Sequence, residues 1–168
     1  MASDSLTVYD GLKLVNTVND SKIYTFPNFS IAVSGEGPIS ELMEHIQTEG
    51  IWDTDELSCR SDCSVLMESF GEKFNEKVPD AVSENLKYEF LIGTKDRLFW
   101  CLSEPSVFEI DTFWAAGSGG DFALGALQAL YSRIGHGITM EEAAKAAVLA
   151  ACRFNQDCEE PIDVRVMQ

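Results

Sequence analysis

Residues 113–127 read FWAAGSGGDFALGAL, and the Gly-Ser-Gly-Gly corner in their middle decides how the rest of the chain is read. An apolar run enters the corner and an apolar helical pattern leaves it. Three chemistries use such a corner. A glycine-rich strand-to-helix turn can present amide donors to a phosphate. Gly117, Gly119 and Gly120 do not make G-x-G-x-x-G, because Phe122 takes the last position, and no Gly-Lys-Ser/Thr follows. Asp121 would also set negative charge beside a bound phosphate. A serine nucleophile on an elbow needs G-x-S-x-G, and Ala116 stands where the first glycine belongs. The remaining reading is a tight strand-to-helix turn, in which glycines supply unusual backbone angles and close packing. Ser118 is then a supporting hydroxyl.

Downstream, Asp121 is placed to cap a helix carrying Phe122, Leu124, Leu127, Leu130, Tyr131 and Ile134. Gly135-His136-Gly137 stops it. Thr139 and Glu142 fit a capping box, in which the cap side chain and the carboxylate three residues on satisfy each other's backbone donors. Ala143, Ala144, Ala147, Val148, Ala151 and Cys152 follow as a small-residue stripe that lets a helix lie close to its neighbour. DVRVM at 163–167 reads as a last strand.

Upstream, Asp10-Gly11 between two β-prone runs predicts a hairpin. KIYTF and FSIAVSGEG read as strands. Ile39, Leu42, Met43 and Ile46 fall at helical spacing after Pro38, with Gly50 as a stop. Val65, Leu66, Ser69, Phe70 and Phe74 predict a second helix. LKYEFLIG, RLFWCL and SVFEI form a second β block, with GTKD as a hairpin loop, and DTFWAAG reads as a further short strand into the corner. Each β block needs a cover for its apolar face. Stacking the two blocks, with a helix pair outside each, gives an α+β fold, a four-layer αββα sandwich in a single domain over residues 1–168.

The 168 residues carry 28 acids against 12 bases, a formal net charge of −16. That field repels nucleic-acid phosphates and anionic lipid, so neither nucleic acid nor membrane is expected as a partner. Five cysteines cannot all pair within one chain, and His45 and His136 lie far from them in sequence. No metal or other cofactor is expected, and reduced thiols fit a cytoplasmic protein.

The corner and its helix, AAGSGGDFALGALQAL, resemble the corresponding stretch of HslV, the peptidase subunit of a bacterial ATP-dependent protease, and of proteasome β-subunits. MEEAAKAAVLAACRFNQDC is similar to that family's next helix. MASDS is similar to the segment after its first strand, and KLVNTVNDSKIYTFPNFSIAVSGEG to its lysine-bearing strand and hairpin. The resemblance covers about the first 40 residues and residues 113–158, and it extends to bacterial and bacteriophage members. It implies the N-terminal-nucleophile fold, peptide hydrolysis by an N-terminal threonine whose own amine is the base, a peptide or protein substrate, and ring-forming homo-oligomers. It places the family's aspartate on Asp4, its lysine on Lys13 with Lys22 as competitor, and its serine on Ser118. The expected departure is the nucleophile: Met1, Ala2 and Ser3 precede Asp4, and none is a threonine. The chain is therefore expected to lack the nucleophile-bearing first strand and to act as a non-catalytic, oligomer-forming subunit. The rival expectation is an active threonine-type peptidase whose first strand lies ahead of Met1.

Overall fold

A computed structural model of the chain describes residues 1–4, 6–9, 12–15, 21–35, 39–52, 57–77, 87–103 and 106–166, with the backbone alone for 6–9 and 12–15. The described residues divide into two compact units. One comprises Met1–Ile23 and Phe113–Val166, the other Tyr24–Thr112.

The second unit is built on a five-stranded sheet in the order β4 (Ile23–Thr25), β5 (Phe29–Gly35), β6 (Tyr88–Thr94), β7 (Leu98–Leu102) and β8 (Ser106–Ile110). From β5 to β8 the strands are antiparallel neighbours in sequence order, so short turns suffice to join β6–β7 and β7–β8. Side chains alternate across the sheet with period two. Phe29, Ile31 and Val33 on β5, Phe90 and Ile92 on β6, and Phe99 and Cys101 on β7 are all buried. Helices α1 (Ile39–Thr48) and α2 (Arg60–Lys77) belong to the same apolar cluster through Ile39, Leu42, Met43, Ile46, Leu66, Phe70 and Phe74. Phe70 is fully buried and packs edge-on against both Tyr88 and Phe90. Asp62 secures the start of α2 by accepting from the Ser58 and Cys59 amides at 2.8 and 2.9 Å. Val65, expected on the apolar face of α2, is 65% exposed; the burial stripe runs through Leu66, Phe70 and Phe74.

In the first unit, β2 (Leu6–Tyr9) and β3 (Leu12–Val15) form an antiparallel hairpin with Tyr9 opposite Leu12, as the Asp-Gly pair predicts. The loop itself lies outside the described residues. A short strand, β1 (Ala2–Ser3), pairs antiparallel with β9 (Asp163–Val164). Helices α3 (Gly120–Tyr131) and α4 (Met140–Phe154) pack on small residues, burying Ala123, Ala147 and Ala151. The capping box of α4 is complete: Thr139 Oγ1 accepts from the Glu142 amide at 3.1 Å, and the Thr139 amide donates to Glu142 Oε2 at 2.8 Å.

Three expectations change. Residues 113–116 make no ladder, so DTFWAAG is not a strand. Gly119 occupies the N-cap of α3, and Asp121 lies inside its first turn. The large apolar side chains of α3 are not its core: Phe122 and Tyr131 are 44% and 48% exposed. Among the described residues, no helix is long and apolar enough to cross a membrane.

Candidate functional site

Asp4 leaves β1 directly after Ser3, whose ladder partner is Asp163 on β9. Lys22 sits just before β4. The two side chains meet: Lys22 Nζ lies 2.9 Å from Asp4 Oδ1, and the side chains are 21% and 16% exposed. A pair this sheltered is less screened than one on the open surface. Lys13, the first choice from sequence, lies on β3 opposite Val8. Its side chain is outside the described residues.

Ser118 is exposed on the bend of the glycine corner. Gly117 holds the bend with φ of +92°, a left-handed angle that favours glycine, and its carbonyl accepts from the Gly120 amide at 2.9 Å. Gly119 is needed for a different reason, the closeness of its neighbours. A Cβ there would come within 2.6 Å of Cys158 Sγ and 2.7 Å of Ala151 Cβ.

Cys158 reaches the corner through a turn after α4. The Asn155 side chain accepts from the Asp157 amide at 2.8 Å, and the Asn155 carbonyl accepts from the Cys158 amide at 3.3 Å. The thiol then lies 3.9 Å from Ser118 Oγ. Burial pushes the Cys158 thiol up, and the Asp4 carboxylate pushes it further; Ser118 and Lys22 oppose the shift. Burial likewise pushes Cys152 up to about 11, aided by Asp4 and Cys158. Both thiols are therefore neutral near pH 7. Asp4, Lys22, Ser118, Cys152 and Cys158 thus share one electrostatic neighbourhood.

Three participants escaped the sequence reading. Cys158 was one of several scattered cysteines, and nothing in its spacing marks the turn that returns it to Gly119. Ser21 and Asp163 join through a hydrogen bond across 142 residues of chain, which no local pattern signals. Among the described residues, no group of three or more His, Cys, Asp or Glu side chains could hold a metal ion.

No protein-family model matches the chain. No curated protein matches it. Solved structures do. Thiobacillus denitrificans BPH in complex with Epoxomicin superposes with a TM-score of 0.77 at 24% identity, over 96% of this chain and 88% of that one. A second Thiobacillus denitrificans BPH structure gives 0.77 at 23% identity over the same shares. Eukaryotic HslV from Trypanosoma brucei gives 0.70 at 18% identity, over 99% of this chain and 91% of that one. The chain is thus an α+β protein with the N-terminal-nucleophile hydrolase fold of HslV.

Proposed function

We propose that the chain is an HslV- and proteasome-β-like subunit of a homo-oligomer, in which Asp4, Lys22 and Ser118 are the supporting groups of a threonine-type peptidase centre. The observation that carries this reading is the 2.9 Å ion pair between Asp4 and Lys22. Such a centre needs a hydroxyl nucleophile and a free amine on one residue. A lysine ammonium beside that amine disfavours its protonated form, because like charges repel. A carboxylate holds the lysine in place, and a nearby serine hydroxyl steadies the nucleophile. Lys22 takes the lysine role because its ammonium is joined to Asp4. A peptide or protein is the substrate class.

Epoxomicin, the molecule bound in the BPH complex, is the probe. Met1–Ser3 include no threonine, so the expectation for these 168 residues is an oligomer without an adduct, a non-catalytic assembly-forming subunit. Intact mass after incubation and light scattering after size exclusion test it. A stoichiometric adduct that Lys22→Ala abolishes and Lys13→Ala leaves intact would establish the alternative, a working peptidase. A monomer without an adduct would overturn both.

A further inference from the structure

Lys22 is anchored by more than Asp4. Its neighbour Ser21 donates from Oγ to Asp163 Oδ2 at 2.5 Å, and the same oxygen accepts from the Ile23 amide at 3.0 Å. Ser21 Oγ also lies 3.0 Å from the Ile23 carbonyl. The hydroxyl has one proton, and the charged carboxylate is the stronger acceptor. The Ser21-to-Ile23 bond closes a local turn around Lys22. Asp163 ties that turn to β9, the strand that also pairs with Ser3, the residue before Asp4. One strand therefore holds both halves of the ion pair, Asp4 through the backbone ladder and Lys22 through Ser21. Arg165 Nε, two residues along, lies 3.1 Å from the Asp163 carboxylate and steadies it.

A lysine side chain has enough rotamer freedom to cancel most of the gain from an ion pair. Fixing the backbone on both sides of Lys22 narrows where its ammonium can go. We infer that Asp163 is a positioning residue: acting through Ser21, it sets the approach of Lys22 to Asp4. Its relevance to catalysis rests on the peptidase-centre reading of that pair. Asp163 touches neither substrate nor nucleophile; it decides where the lysine stands.

Acylation of the full chain by an N-hydroxysuccinimide ester tests this, with Lys22 labelling read by peptide mass spectrometry relative to Lys145. Lys145 is on an exposed face of α4 and normalises for reagent and reaction time. In the native chain Lys22 labels slowly. Asp163→Ala raises the Lys22-to-Lys145 ratio about five-fold, the effect of losing roughly one hydrogen bond's worth of restraint. Ser21→Ala does the same, and the double variant adds nothing further, because both remove one contact. Asp163→Asn restores the native ratio, since an amide oxygen still accepts from Ser21. An unchanged ratio in both Asp163→Ala and Ser21→Ala overturns the inference. So does a raised ratio that Asp163→Asn fails to restore, which would assign the effect to charge alone. Should Asp163→Ala not fold, Ser21→Ala decides. Labelling needs no turnover, so the clamp and the peptidase-centre reading fail separately: a raised ratio in a chain that proves to be a monomer without an adduct removes only the latter.

Discussion

The unit of residues 24–112 and the unit that carries Asp4 and Lys22 are packed with opposite materials. The first buries large rings: Phe29, Phe70, Phe90 and Phe99 are all at most 1% exposed, and Phe70 alone makes ring contacts with Trp52, Phe74, Tyr88 and Phe90. The second brings backbones together over alanines and glycines, with Ala123, Ala147 and Ala151 at its centre. Bulk removes more apolar area from water and stabilises more. Closeness stabilises less, but it fixes backbone positions tightly, because nothing flexible lies between the helices. The polar cluster is found in the closely packed unit.

Three substitutions separate these two modes, in decreasing order of effect. Phe70→Ala leaves a large cavity among aromatic rings and costs about 3–5 kcal/mol, read as a lower urea midpoint. A loss below about 1 kcal/mol would mean the ring cluster is not the foundation of its unit. Gly119→Ala tests closeness. The new methyl meets both Cys158 and Ala151, and overpacking of this kind costs about 1–3 kcal/mol. Cys158→Ala in that background returns part of the loss. Native stability in Gly119→Ala would show that the corner and α4 are not in close contact. The smallest effect is alkaline. The folded chain holds the Cys152 proton more tightly than the unfolded chain does. That contribution is fully present below the ordinary thiol range, about pH 8.5, and it is lost as pH rises towards about 11. Cys152→Ala should flatten the fall in melting temperature over this window. Cys63, raised chiefly by its hydrogen bond with Cys101 and then by burial, acts with the same sign in the other unit. An unchanged alkaline profile in Cys152→Ala would remove the assignment.

Local signals were legible where local physics decides. Asp10-Gly11 predicts the β2–β3 hairpin, and the pattern Ile39, Leu42, Met43, Ile46 names the four buried residues of α1. Thr139 and Glu142 predict their own mutual hydrogen bonds. The failures share a cause, which is that distant chain sets the outcome. Strand β1 spans two residues, too few for any periodicity, and exists because β9 pairs with it. Phe122 and Tyr131 look like core on a helical wheel, yet α3 approaches α4 on the side where its residues are smallest. The choice between Lys13 and Lys22 turns on the hairpin. Antiparallel pairing sets Lys13 opposite Val8, while the Lys22 ammonium meets Asp4, a contact that no local pattern signals.

The β1–β9 pairing also has a consequence for timing. Residues 24–112 form one continuous stretch, and every described strand and helix of that unit has been synthesised before the corner is translated. The other unit is interrupted by that whole stretch, and its two parts must wait for one another. During synthesis Asp4 and Lys22 emerge early, but the strand that frames them is not made until Asp163 appears. Domains complete in the order in which their segments become available. A nascent chain thus carries Asp4 and Lys22 without the strand that frames them until Asp163 has been added.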